Sequence, residues 1–284
     1  MALPDAVLRQ LDHDIVRAEP VGGGDIHRAY RLVDTAGRAF FLKYPTHAHG
    51  DALLRAERRS LTLLGNTDTL PVPPVLAHGD APAYLLLPYL PPATPTAATW
   101  EALGRGLAEL HRCTAPQFGL DHDNFIGTLP QSNRRHAKWA DFYAEERLLP
   151  QLRLATDRKI VTDTDRRAVE SLIKRLPDRL PEAPPALIHG DLWSGNFHPC
   201  TDGRVYLIDP AAAYADREMD LALTRLFGGF APAFYGAYQN HFPPLPGQAD
   251  RVPVYQLYYL LAHVNMFGSS YLPRTREVLR RAGG

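Results

Sequence analysis

IHGDLWSGNF (188–197), followed after a short polar insert by the apolar run VYLIDPA (205–211), decides how this chain is read. Asp191 stands two residues behind His189, Asn196 lies five positions further, and Asp209 ends the apolar run. Each piece alone could be a turn with an Asx cap on either side. Together they supply one proton acceptor and two hard oxygen ligands on neighbouring loops, the set that phosphoryl transfer requires. In such a site Asp191 accepts the proton of the attacking hydroxyl, while Asn196 and Asp209 hold Mg2+ on the phosphates of ATP. The five-residue gap lets a tight loop aim both side chains into one cleft.

Upstream features agree with that reading. Lys43 sits inside the apolar strand FFLKY, where a charge needs a partner or a ligand, and Glu57 in the next helix is the natural partner. A lysine braced by a helix glutamate and reaching the α/β-phosphates is the arrangement of kinases. VGGGDIHRAY (21–30) places Gly22, Gly23 and Gly24 between an opening strand and its hairpin partner, so that backbone N–H groups can approach phosphate closely. LLLPYL (85–90) is an apolar strand running into a connector. There the Pro88 carbonyl can accept from an adenine amino group and the Leu90 N–H can donate.

Hydrophobic patterning divides the chain into two lobes of an α+β protein. Residues 1–91 read as a β-rich, nucleotide-binding N-lobe: a short helix over 6–13, alternating strands at 27–33 and 38–44, a helix over 51–65, a proline-rich connector and the apolar strand from 83. Residues 92–284 read as a larger, mainly helical C-lobe carrying the catalytic loop and the substrate site. Its helices are expected at 100–113, 139–152 and 165–176, with a buried helix at 254–267 that is too short and too polar to span a membrane.

Lys plus Arg and Asp plus Glu each total 31, so the net charge is zero. That balance speaks against nucleic acid or a membrane surface as partner. Cys113 and Cys200 lie far apart and outside any metal spacing, and read as reduced thiols. His47 and His49 lack further ligands and read as a solvated loop. The opening residues show no signal-peptide pattern, so the expected location is cytoplasmic. The sequence leaves the oligomeric state open.

HGDLWSGN together with IDP (208–210), YADREMDLALTRLFGGF (214–230) and DNFIGTLPQ (123–131) resembles the fructosamine kinase (ketosamine-3-kinase) family. That family lies within the aminoglycoside-phosphotransferase-like branch of the protein-kinase fold. The likeness runs from the glycine loop to beyond Phe230. Asp191 with Asn196 is shared across the branch; Trp193-Ser194 and Arg217-Glu218 ahead of Asp220 are narrower marks. The resemblance implies a two-lobed protein-kinase-like fold and ATP- and magnesium-dependent phosphorylation of a sugar hydroxyl, at O3 of a ketosamine, either free or borne on a protein lysine. One departure is Pro88, which stands where such kinases often carry an acidic residue.

On the acceptor side, Trp193 can offer an aromatic face to a sugar or an amine cation, or pack under the catalytic loop. Asp216, Arg217 and Glu218 follow Asp209 closely enough to line the cleft, Asp216 or Glu218 facing the substrate amine. Asp220 is expected to cap the next helix and brace the catalytic loop, His189 to orient that loop, and Asn124, Phe125 and Gly127 to form a lid. Two other readings stay open. One is a related kinase for choline, homoserine or an aminoglycoside. A polycationic antibiotic would call for acids, but from residue 221 onward only Asp250 and Glu277 stand against six arginines. The other is a nucleotide-binding pseudokinase, whose mark would be loss of Lys43, Asp191, Asn196 or Asp209; all four are present.

Overall fold

Alternation builds the first sheet. In the computed structural model, which describes residues 4–22, 27–45 and 49–283, helix α1 (Asp5–Leu8) precedes strands β1 (Ile15–Val21), β2 (His27–Asp34) and β3 (Ala39–Pro45). Helix α2 (Gly50–Gly65), β4 (Ala77–Asp80) and β5 (Ala83–Pro88) complete this lobe. The five strands form one antiparallel sheet in the order β1-β2-β3-β5-β4. The β2–β3 turn is fixed by Asp34, whose Oδ1 accepts from the Ala36 and Arg38 amides at 3.0 and 2.9 Å, and by Gly37 at φ +77°.

Period-two alternation gives the sheet two apolar faces. Tyr30, Leu32, Phe40, Leu42 and Leu86 pack against Val7 and Leu11 on one side. Phe41, Leu85 and Leu87 pack on the other against Leu54 and Leu61 of α2. Lys43 shares the α2 side with Phe41, two residues away on β3. The helix expected over 6–13 shortens to α1. A free-standing two-turn helix is marginal, and burial of Val7 and Leu11 against the sheet determines the path instead.

The helical lobe begins with α3 (Ala97–Leu110), opened by a Thr96–Thr99 capping box. A small hairpin follows, β6 (Asn124–Ile126) and β7 (Leu129–Gln131). The helix expected at 139–152 is a continuous rod: α4 (Trp139–Phe142), a π-helical turn (Tyr143–Leu148) and α5 (Leu149–Asp157). Pro150 has no N–H to give and its ring crowds the carbonyl four residues back, so the wider turn lies just ahead of it. α6 (Asp163–Lys174) starts at a Thr162–Asp165 capping box, and α7 (Leu176–Arg179) follows. Short strands β8 (Ala186–Ile188), β9 (Phe197–Pro199), β10 (Val205–Leu207) and β11 (Ala213–Ala215) carry the loops between them. They pair as β9–β10 and β8–β11.

Helices α8 (Glu218–Leu226), α9 (Pro232–His241), α10 (Gln248–Phe267) and α11 (Leu272–Arg281) close the lobe. α10 is buried nearly all round, as its even hydrophobicity requires. Its three fully buried tyrosines each donate inward: Tyr255 to Asp216, Tyr258 to Gln131, and Tyr259 to the Gly190 carbonyl. Among the described residues no helix is long and apolar enough to cross a membrane.

Candidate active site

The loop after β8 carries Asp191 and Asn196, and the chain after β10 carries Asp209. Two backbone bonds hold these loops together: Ile208 N–H to the Asn196 carbonyl (3.0 Å) and Ala211 N–H to the His189 carbonyl (2.9 Å). Gly190 adopts φ +83°, and a Cβ there would lie 2.1 Å from the Ala211 oxygen, so only glycine fits. Asp209 itself sits at φ +53°, an unusual conformation for a non-glycine residue, held by this double attachment.

These constraints converge on one cleft. Asn196 is buried and donates Nδ2 to the Asp191 backbone carbonyl (2.8 Å) and carboxylate (3.1 Å). Its Oδ1 has no hydrogen-bond partner among the described residues. Lys43 reaches across from β3, donating to Glu57 Oε1 at 2.7 Å and also to Asp209. Asp209 remains about half exposed, whereas Lys43 and Glu57 are nearly buried.

Electrostatics follow from this crowding. Burial alone would push the Lys43 ammonium down, but the Asp209 and Glu57 carboxylates hold its pKa above the ordinary lysine value. Burial and the negative charge of Asp209 push Glu57 up against the pull of Lys43. Burial likewise pushes the Asp191 carboxyl up to about 7, with Asp209 adding to the effect and the Asn196 amide opposing it. A carboxyl so poised suits general acid–base work near neutrality. Asp209 carboxylate oxygens and Asn196 Oδ1 are hard donors on adjoining loops, and they fit a magnesium ion.

A second layer fixes the 189–196 loop from below. Asp220 does not cap α8. It lies within the first turn, fully buried, and its carboxylate points at the loop: Oδ1 accepts from Gly190 N–H (2.9 Å) and Oδ2 from His189 N–H (2.8 Å) and His111 Nε2 (3.2 Å). His189 donates Nε2 to the Ile208 carbonyl and accepts the Asp191 N–H on Nδ1, orienting the loop as expected. His111, Tyr238 and Tyr259 are partners the sequence reading missed. They come from the C-cap of α3, from α9 and from α10, and nothing local to their positions marks them.

Three expected acceptor-side residues are committed elsewhere. Asp216 is buried and accepts from the Tyr255 hydroxyl (2.6 Å) and the Glu218 amide (2.8 Å). Glu218 is held by both arms of the Arg251 guanidinium at 2.8 and 2.6 Å. Arg217 donates to the Tyr238 hydroxyl and to the carbonyls of Phe242 and Pro243, its guanidinium 3.6 Å from the Phe242 ring centre. None of the three is left free for a ligand, because a buried charge is stable only where internal partners satisfy it.

The lid reading also changes at Asn124. Its side chain is buried, donating to the Ala212 carbonyl and accepting from Gln131 and Asn133, so it fastens the hairpin to the segment behind Asp209. Gly127 rests against Met266. Trp193, by contrast, is 40% exposed, with its ring lying over Gly195. Pro88 ends β5 opposite Phe40, and the Leu90 carbonyl accepts from His198, leaving its N–H without a partner among the described residues. Gly22 follows β1, and among the described residues nothing lies within 4 Å of where its Cβ would be. Gly23, Gly24 and His47 lie outside the described residues.

Known proteins share both the sequence and this frame. A family model described as fructosamine kinase matches residues 5–282. A protein of Lactiplantibacillus plantarum named as a ketoamine kinase is 41% identical over 270 residues, covering 94% of each chain. A crystal structure assigned as a fructosamine-3-kinase from Thermobifida fusca superposes with a TM-score of 0.90 at 34% identity, covering 99% of this chain and 98% of that one. The ADP-bound aminoglycoside phosphotransferase APH(2'')-Ib shares the fold alone, with a TM-score of 0.65 at 13% identity over 98% of this chain and 96% of its own. Matched along nearly its whole length, the chain belongs to the fructosamine kinase family.

Proposed function

We propose that this protein transfers the γ-phosphoryl group of ATP to a sugar hydroxyl of ketosamines, at O3. The observation that carries the reading is the meeting of Lys43, Glu57, Asp191, Asn196 and Asp209 in one cleft of a chain belonging to this family. Asp191 takes the proton of the acceptor hydroxyl as the new P–O bond forms. Lys43, kept charged and braced by Glu57, holds the α/β-phosphates, and Gly22, Gly23 and Gly24 are assigned to the same phosphates as backbone donors. The Pro88 carbonyl and Leu90 N–H receive the adenine. Asn196 and Asp209 hold the magnesium ion, which neutralises charge on the phosphates when bound. Trp193, exposed beside Asp191, offers its face to the acceptor. The lobe boundary falls at residues 91–92, where Pro92 bridges to Cys200 and the chain leaves the sheet for the helices.

ADP release with Mg-ATP tests this directly. Fructosyl-lysine and ribulosyl-lysine are compared with choline, homoserine and kanamycin, with D191N as the blank. Turnover on ketosamines alone, with phosphorus on O3 by NMR, is the expected result. Turnover on choline, homoserine or kanamycin instead would sink the acceptor assignment while keeping the chemistry. Silence on all five with ATP bound would favour a nucleotide-binding protein without turnover.

A further inference from the structure

On the face formed by α8, α10 and α11 lies a cavity of about 370 Å³ lined by Arg225, Arg274, Arg281, Glu277, Gln256 and two valines. None of these residues belongs to the phosphoryl-transfer cleft. We propose that this cavity binds a small hydroxylated metabolite carrying two or more negative charges on oxygen, of the class of polyol phosphates and hydroxy-polycarboxylates.

Charge is the first argument. Three arginines and one glutamate line the space, and none of the four side chains takes part in an ion pair among the described residues. Like charges gathered around one space repel unless an anion joins them. The second argument is preorganisation. Arg225 spends one N–H on the Leu221 carbonyl (3.0 Å) and lies 4.6 Å from the Tyr235 ring centre. Arg274 spends one on the Leu226 carbonyl and lies 5.5 Å from the Phe227 ring. A guanidinium carries five N–H donors, so each keeps four, on a plane already held by an aromatic ring. The Arg281 side chain has no hydrogen-bond partner among the described residues, and the residue is exposed.

Size and the remaining lining narrow the class. Small-molecule pockets run from about 300 to 1,000 Å³. A hollow at the low end of that range accepts one metabolite and does not fit a macromolecular surface. Val252 and Val278 supply an apolar wall for a carbon skeleton. Gln256 donates its amide N–H to the Ala222 carbonyl (3.1 Å), so its side-chain oxygen is left to accept from a ligand hydroxyl. Guanidinium forks match phosphate and carboxylate alike, and both sources remain in the test.

Isothermal titration with glycerol 3-phosphate and with citrate, in about 0.15 M NaCl to screen non-specific attraction, decides the matter. The protein is saturated with Mg-ADP so that the nucleotide site is filled. One saturable site is expected, retained in K43A and weakened about tenfold or more in R274Q/R281Q, as loss of charge-assisted bonds requires. Tighter binding of glycerol 3-phosphate identifies the phosphate class, and tighter binding of citrate the polycarboxylates. Should the double variant unfold, the exposed Arg281→Gln alone carries the comparison, with an unchanged melting temperature as its control. No saturable heat with either probe, binding that survives the substitutions, or binding lost in K43A would overturn the proposal. Each of those results would leave Arg225 and Arg274 as donors to the Leu221 and Leu226 carbonyls alone, and none bears on the kinase reading.

Discussion

Replacing Asp220 by Asn tests the idea that a buried carboxylate holds the catalytic loop in place. Oδ1 accepts one N–H, from Gly190, and Oδ2 accepts two, from His189 and His111. An amide offers one acceptor oxygen. If that oxygen takes the place of Oδ2, the new NH2 group faces the Gly190 N–H, and a buried backbone donor is orphaned at about 1–3 kcal/mol. The two surviving bonds lose their ionic character, at about 1 kcal/mol each. Removing a buried charge could offset such losses. Here it offers little: burial pushes the Asp220 carboxyl up, but hydrogen bonds from His111 and the Gly190 amide outweigh that push and hold its pKa below the ordinary value. The sum is a loss of about 3–5 kcal/mol, a large part of a typical 5–15 kcal/mol stability. Urea unfolding reads it as a lower midpoint at unchanged slope. In the fraction still folded, kcat should drop about a hundredfold, since Asp191 follows the loosened residues directly and misplacement by about 1 Å costs that much. A stability change under about 1 kcal/mol with kcat intact would refute the reasoning.

Other perturbations give separable outcomes. Asp191→Asn should lower kcat by about 10²–10⁴ or more while ATP affinity, measured by calorimetry, stays near wild type. Retention of more than about a tenth of the rate would remove Asp191 as the base. Gly190→Ala should destabilise by more than about 2 kcal/mol, combining left-handed strain with the clash at Ala211, and a neutral melting temperature would contradict this. Asp216 is raised from 3.8 to about 6, first by burial and then by Glu218, with Tyr255 and Arg251 opposing. Its folded form therefore holds the proton more tightly. The stability it contributes is fully present below about pH 4 and is lost as pH rises through about 6, about 3 kcal/mol in all. Asp216→Asn should erase that slope, so urea midpoints of the two proteins converge or cross between about pH 4 and 7; parallel profiles would rule it out.

The sequence made local chemistry legible and long-range commitments invisible. The spacing of Asp191, Asn196 and Asp209 is short enough for one pair of loops to realise it, and Lys43 meets Glu57 because one strand face and one helix face must pack together. The DRE segment at 216–218 looked like cleft polarity for lack of any local sign of its partners. Phe242, just past α9, and Arg251 and Tyr255 of α10 arrive from 25 to 39 residues downstream. Asp220 was half read: its bracing role followed from position, but its target atoms did not. Asn124 belonged to a motif whose loop-like composition suggested a lid, and only the folded chain reveals the Ala212 carbonyl it holds. The capping boxes at Thr96 and Thr162 start their helices at 97 and 163, ahead of the expected 100 and 165.

The attachment of Tyr259 to Gly190 and of Asp220 to His189 bears on the order of assembly. Every residue proposed for the chemistry has been synthesised once Asp209 has been added, yet the loop that aims Asp191 is fastened by α8 and α10, which are synthesised later. Closing such contacts across long stretches of chain is slow compared with forming local helices. Phosphoryl transfer should therefore appear only with the last steps of folding, after most helical signal has returned. A chain ending before Tyr259 would carry the full catalytic set and still be silent.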